Sequence, residues 1–317
     1  MTSAVENFIA EPIRHRRFDL AWYRLTQLLH ERTNGAFDNA YMRLAPVIRP
    51  KVELPASKQL DPSEVSRVVE RLRQDGYNIL PKGLTPADIE AITDFAFTTP
   101  AFAGHMHKRV DLARDAIPQG EPRFSWWMHD LVRVPAIQRL IADGPYCQIA
   151  QEYLGCRPTL AHISLFLDAP YDGDYGAYRY HYDNDGPGFL KFFIFITDVE
   201  VGTGAHYFIA GSHTRSKPAA FARATLYDEG PLLASYGRDK ETVMRGSAGM
   251  VLAEDTAGFH RGSTIERDYR IMMQFEFSAI ETPTDQELAR KVEPLAVPGM
   301  HPGIASIARK YYLSAEP

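Results

Sequence analysis

Tyr180-His181-Tyr182-Asp183-Asn184-Asp185-Gly186-Pro187-Gly188-Phe189-Leu190-Lys191-Phe192-Phe193-Ile194-Phe195-Ile196 is the stretch whose reading decides the fold. Its second half is a run of β-branched and aromatic residues, the composition of a buried strand, and a Gly/Pro/Asp turn sets it off from the triplet before it. In extended backbone, side chains i and i+2 share a face, so His181 and Asp183 can reach one metal ion while Tyr182 turns away. Two imidazoles and one carboxylate on one face of a metal form the triad that suits Fe(II) and leaves coordination positions open. With 11 histidines in the chain, one His-x-Asp triplet is weak evidence by itself.

Working outward, His260 supplies the missing imidazole. It follows a strand-like run, Gly249-Met250-Val251-Leu252-Ala253, and precedes another, Tyr269 to Phe277. All three candidate ligands therefore sit at strand ends, where the mouth of a barrel would hold a site. His162, His206 and His213 compete for the distal position. His206 and His213 follow Asp183 closely, His162 precedes it, and His260 is the choice.

The pieces in order are His181-Tyr182-Asp183, Thr197-Asp198-Val199 to Gly204, Gly211-Ser212-His213, Gly249-Met250-Val251-Leu252, His260-Arg261-Gly262 and Arg270. Each is common, but their order and spacing resemble the phytanoyl-CoA dioxygenase-like (PhyH) branch of the Fe(II)/2-oxoglutarate oxygenases, clearest from Asp61 to Phe277. The resemblance implies a mainly β protein, a double-stranded β-helix (a jelly-roll or cupin-like barrel) with flanking N-terminal and C-terminal helices. It implies Fe(II) held by His181, Asp183 and His260, with 2-oxoglutarate as co-substrate and O2 as oxidant, and oxidation of a C–H bond of a small molecule with release of succinate and CO2. Halogenases of the broad group carry a small residue where Asp183 stands, so hydroxylation or a related oxidation is favoured. Independently, strand-like runs at Thr159–Leu167, Leu190–Ile196, Ala205–Ile209, Gly249–Ala253 and Tyr269–Phe277, broken by Gly, Pro and Asp, suit an antiparallel sandwich or barrel.

Arg270 fits the co-substrate. A buried carboxylate without a partner is costly, and a guanidinium fork supplies a charge and two parallel hydrogen bonds. Arg267 is the rival, in a turn with Glu266 and Asp268, whereas Arg270 enters the strand. Lys191, a lone cation in a Phe/Ile strand, is a second candidate for that carboxylate or for an acidic substrate, against the reading of an edge-strand lysine that blunts aggregation.

The rest of the chain divides into 1–60, a helical extension; 61–280, the oxygenase domain; and 281–317, a helical tail packing on the barrel. The extension reads as a helix from Asp19 to Arg32 and a Pro-punctuated link from Ala45 to Pro55, with docking on the barrel and homodimer formation both open. Asp61-Pro62-Ser63-Glu64 is a helix start with a capping box, Gly76 its stop, Tyr77 to Leu80 a strand and Thr85-Pro86 a second helix start. Further helices are expected at Val134–Asp143, Pro145–Leu154 and within Pro302–Tyr312. His105-Met106-His107 reads as loop or pocket lining rather than a second metal pair. Phe124 to His129 holds two of the three tryptophans and is read either as core or as pocket lining. Trp126, Tyr178, Arg179 and Arg215 are the candidate substrate contacts, and the segment from Ser212 to Arg245 is expected to form a lid or wall over the mouth.

A net charge of −5 without a basic block gives no electrostatic reason to expect nucleic acid or an anionic membrane. Cys147 and Cys156, without ligand spacing, point to a reducing cytoplasm, and neither a membrane span nor a signal sequence is expected. A cupin-like metal-dependent isomerase, which would not need Arg270, and a non-catalytic binding barrel are the alternatives.

Overall fold

The computed structural model describes residues 9–10, 12–13, 17–104, 108–223, 225–283 and 293–315. The N-terminal part includes α1 (Phe18–Thr33) and α2 (Ala36–Ile48). After an extended link, the Asp61 carboxylate accepts from the N–H groups of Ser63 and Glu64 while Glu64 returns a bond to the Asp61 N–H, opening α3 (Pro62–Asp75). Gly76, at φ 86°, stops it, and β1 (Tyr77–Ile79) follows. Thr85 caps α4 (Pro86–Thr98).

Three short strands, β2 (Ala101–Ala103), β3 (Lys108–Val110) and β4 (Arg123–Ser125), lead to α5 (Met128–Leu131), α6 (Pro135–Asp143) and α7 (Tyr146–Leu154). The long strands are β5 (Thr159–Asp168), β6 (Phe189–Phe195) and β11 (Arg270–Ser278). Between β6 and β11 the chain forms β7 (His206–Ile209), α8 (Glu229–Tyr236), β8 (Glu241–Met244), β9 (Val251–Glu254) and β10 (His260–Gly262). It ends with β12 (Leu295–Pro298), α9 (Pro302–Ile307) and β13 (Tyr312–Ala315).

The eight-stranded sheet runs β1-β9-β6-β11-β5-β4-β2-β3, and the smaller one β10-β7-β8; every pairing in both is antiparallel. Alternation divides the faces of the large sheet. Leu165, Leu167, Phe192, Ile194, Ile271, Met273 and Phe275 turn outward into a core shared with α3, α4, α6, α7 and α9. Phe166, Phe193, Phe195, Leu252 and Met272 turn inward and meet Phe208 and Met244 of the small sheet. The sheets thus face each other as a sandwich, and whatever lies between them is bounded by the inward residues of β5, β6 and β11.

Several expectations are corrected. The link expected from Ala45 begins later, because α2 runs through Pro46 to Ile48. Ala45 is fully buried with Leu154, Cys156 and Ala279, and that packing outweighs the bond Pro46 cannot donate. Lys191 is not on an edge, since β6 pairs with β9 on one side and β11 on the other. The 212–245 segment is no lid: it contributes β8, and its Phe221, Leu232 and Leu233 pack on Tyr180, Tyr182 and Phe259. In the tail a short helix lies between two parallel strands, β12 and β13, and Tyr312 belongs to β13 rather than to a helix. His105, Met106 and His107 lie outside the described residues. No helix among the described residues is long and apolar enough to cross a membrane.

Candidate metal centre

A single antiparallel bridge brings the two imidazoles together. The His181 N–H donates to the His260 carbonyl at 3.0 Å and the His260 N–H returns a bond at 2.9 Å, leaving the rings 4.3 Å apart between centroids. The Asp183 N–H donates to Thr256 O at 2.8 Å, which fixes the carboxylate two residues beyond His181 on the same side. One donor atom from each of His181, Asp183 and His260 lies within 4.8 Å of the other two. Tyr182 and Phe259, at the intervening positions, point the other way into a small aromatic cluster.

The second nitrogen of each ring decides whether these donors suit a metal. His181 Nδ1 lies 2.9 Å from Arg179 O, and His260 Nδ1 lies 2.9 Å from Gly258 O. A carbonyl oxygen can only accept, so each Nδ1 carries the hydrogen and each Nε2 keeps its lone pair. Burial, helped by His181, pulls His260 down to about 4, so its imidazole is neutral at physiological pH. Burial alone would raise Asp183, but Lys191 and His260 outweigh it and hold the carboxylate well below its usual range.

Lys191 is the neighbour that matters most. Its ammonium donates to Asp183 at 2.8 Å and Asp185 at 2.7 Å, with Glu276 at 3.7 Å. Burial by itself would lower Lys191; these carboxylates outweigh it and keep it charged. Lys191 is therefore not a lone cation waiting for a carboxylate. Glu276 is pushed up to about 8, first by burial and then by Asp185, so near neutrality the ammonium balances Asp183 and Asp185 chiefly.

A cavity of about 200 Å³ between the sheets joins this cluster to Arg270, with Arg123, Tyr175, Tyr178, His206 and Gln274 also in its wall. Arg270 is 5 % exposed. Its guanidinium donates to Gly204 O and to Asp168, and Arg123 takes the same Asp168 carboxylate at 2.5 and 3.0 Å. Two guanidiniums against one carboxylate leave one excess positive charge, and Arg270 Nε has no hydrogen-bond partner among the described residues. A donor left unmatched in a buried wall suits an anionic group brought by a ligand.

Of the candidate substrate contacts, Tyr178 lines the cavity and the other three do not. Trp126 is core, 1 % exposed, its indole N–H donating to Thr99 O. Arg179 turns outward to Asp228, and Arg215 pairs with Asp255 and covers the Phe189 ring. Arg123, Asp168, Gln274 and Glu254 escaped the sequence reading as parts of the site, and His206, there a rival of His260, stands in the cavity wall beside it. His206 Nε2 lies 3.0 Å from Glu254, whose carboxyl burial raises to about 8. Glu254, an acid closing an apolar strand, was the signal available for that pair.

No protein-family profile matches the chain, and no curated protein matches it. Solved structures do. The non-heme alpha ketoglutarate dependent epimerase SnoN from nogalamycin biosynthesis has a TM-score of 0.50 at 18% identity, covering 75% of this chain and 92% of that one. The non-heme alpha ketoglutarate dependent carbocyclase SnoK from nogalamycin biosynthesis has a TM-score of 0.50 at 16% identity, covering 78% of this chain and 97% of that one. At such identities the likeness is one of fold.

Proposed function

We propose that the protein is an Fe(II)- and 2-oxoglutarate-dependent oxygenase of the PhyH-like branch, its two sheets forming a double-stranded β-helix, and that it oxidises a C–H bond of a small molecule. One observation carries the reading: a three-donor cluster with both Nδ1 hydrogens tied to carbonyls stands in the same cavity as a buried arginine with an unmatched Nε.

His181, Asp183 and His260 would hold iron, and Arg270, backed by Arg123, would take the far carboxylate of 2-oxoglutarate. Together the bound iron and 2-oxoglutarate supply an oxidative decarboxylation that yields succinate and CO2 and can break an unactivated C–H bond. The chain's own work is positioning. Lys191 donates to Asp183 Oδ2, the oxygen that also lies 3.7 Å from His260 Nε2, and so holds the carboxylate beside the imidazoles. Asp168 holds Arg123 and Arg270 at one height, and Tyr175 with Tyr178, their rings 5.2 Å apart, close the wall above them. The inward Phe166, Phe193 and Met272 place apolar surface among these charged groups, which strengthens the charge interactions beside it.

Hydroxylation is the outcome favoured by the retained Asp183. The names of the two similar folds, an epimerase and a carbocyclase, favour a second outcome in which hydrogen abstraction ends in stereoinversion or ring closure. Both require the same metal and co-substrate. Cytoplasmic placement is part of the proposal, since Cys147 and Cys156 are both free and buried.

The test is anaerobic addition of Fe(II) and then 2-oxoglutarate to metal-free protein, followed by an oxygen pulse and a succinate assay. A weak visible charge-transfer band and slow succinate release are expected. Iron binding without the band or succinate would favour the cupin-like isomerase instead.

A further inference from the structure

The proposed chemistry makes no use of α1 and α2, yet their polar contacts converge on the segments that carry the ligands. The Gln27 amide of α1 donates to Asn184 O at 2.9 Å, directly beside Asp183, and the Asn184 amide donates back to Gln27 O at 3.4 Å. Tyr23 donates to Asp185 at 3.4 Å, one of the carboxylates Lys191 holds.

The corner between the helices reaches the other segment. Asn34 sits at φ 46° and Gly35 at φ 75°, and a Cβ on Gly35 would lie 2.3 Å from Arg215 O, so the corner rests directly on the chain around Lys217. The Asn34 amide donates to Lys217 O at 2.8 Å, and the Lys217 N–H donates to Asn34 Oδ1 at 3.0 Å. The Lys217 ammonium, 4 % exposed, then donates to the carbonyls of Ser212 and Thr214 at 2.6 Å and of Ala257 at 2.5 Å. Ala257 lies three residues before His260, and its neighbour Thr256 accepts from the Asp183 N–H. The circuit closes behind the metal centre.

His181 and Asp183 lie outside the long ladders; His181 is held by an isolated bridge to His260. Segments held so lightly open at low free-energy cost unless other parts of the protein tie them. We infer that the α1–α2 hairpin is a positioning clasp for the metal centre, with Gln27 and Asn34 fixing the loops that bear Asp183 and His260, so that divalent-cation affinity depends on both. The inference rests on the metal-binding reading of that site.

The test titrates Co(II) into the full-length metal-free chain by calorimetry and visible absorption, with the metal-free melting temperature measured alongside. Gln27→Ala and Asn34→Gly are the variants; glycine tolerates the left-handed corner while removing both side-chain bonds. Val47→Ala, on an 82 % exposed position of α2, is the control. Each variant should weaken Co(II) binding by about 10-fold, as losing an outer partner of a metal ligand does, with the double variant weaker still and Val47→Ala unchanged. Asn34→Asp, which keeps the acceptor for the Lys217 N–H, should recover part of the loss. Wild-type affinity in the folded single variants overturns the clasp, as does an equal loss in Val47→Ala. Absence of Co(II) binding by the wild type overturns the metal reading itself. If the double variant does not fold, the single variants decide.

Discussion

Nζ of Lys191 lies 2.8 Å from Oδ2 of Asp183, so the carboxylate assigned to the metal shares its charge with a buried ammonium. The ammonium orients the carboxylate, and it occupies ground that a divalent cation would also neutralise.

Lys191→Met should therefore lower the stability of the metal-free protein by about 3–5 kcal/mol, the usual cost of stranding the partners of a buried ion pair. Added Mn(II) should restore more stability in the variant than it adds to the wild type, because the cation then serves Asp183 alone. Denaturant melts with and without Mn(II) measure both effects, and equal increments would show that Lys191 does not share the ligand.

His206 and His260 have ring centroids only 5.5 Å apart, and they should behave differently. His260→Ala should lose stoichiometric Co(II) binding. His206→Ala should retain it, since His206 spends its Nε2 on Glu254. Calorimetric stoichiometry is the readout, and the opposite result would exchange the two assignments.

Arg270→Ala should raise the half-saturating concentration of 2-oxoglutarate by about 10-fold or more, the worth of a hydrogen bond to a charged group, with Co(II) affinity unchanged. Succinate release against co-substrate concentration gives the first number and calorimetry the second. A parallel loss of metal would place Arg270 in the scaffold rather than in the co-substrate site.

Burial alone would raise Asp168, but Arg123 and Arg270 outweigh it and hold the carboxyl below its ordinary 3.8. A carboxyl lowered on folding adds stability above its unfolded value and loses it as pH falls through the folded one. The gap between wild type and Asp168→Asn should thus stay level from about pH 5 to 8 and narrow below about pH 4. Urea midpoints at successive pH values check it; a gap that widens in acid would contradict the ion pairing.

What could be read from the sequence was local or periodic. The triplet His181-Tyr182-Asp183 and the strand ends around His260 and Arg270 announced themselves by alternation, and α3 by its capping box. Arg123 and Asp168 were hidden because they meet through the β4–β5 pairing, across 45 residues, where no short-range period reaches. Trp126 was ambiguous because a tryptophan suits a core and a pocket equally well; its N–H found Thr99 O, and the core took it. The edge-strand alternative for Lys191 stayed open in the sequence because composition does not say which strands flank a strand. Once β6 lies between β9 and β11, alternation sends Lys191 inward with Phe193 and Phe195.

The position of β11 has a consequence for how the protein comes into being. It is the last strand of the large sheet to leave the ribosome, yet it lies between β5 and β6, pairing with Asp168 more than a hundred residues earlier. Until it inserts, the two strands that flank it have no ladder joining them, and the segments carrying His181 and His260 have no common floor. Such non-local topology makes for slow folding, and it sets an order of events. The floor of the cavity, bounded by inward residues of β5, β6 and β11, is complete only once residues 270–278 have paired with both flanking strands.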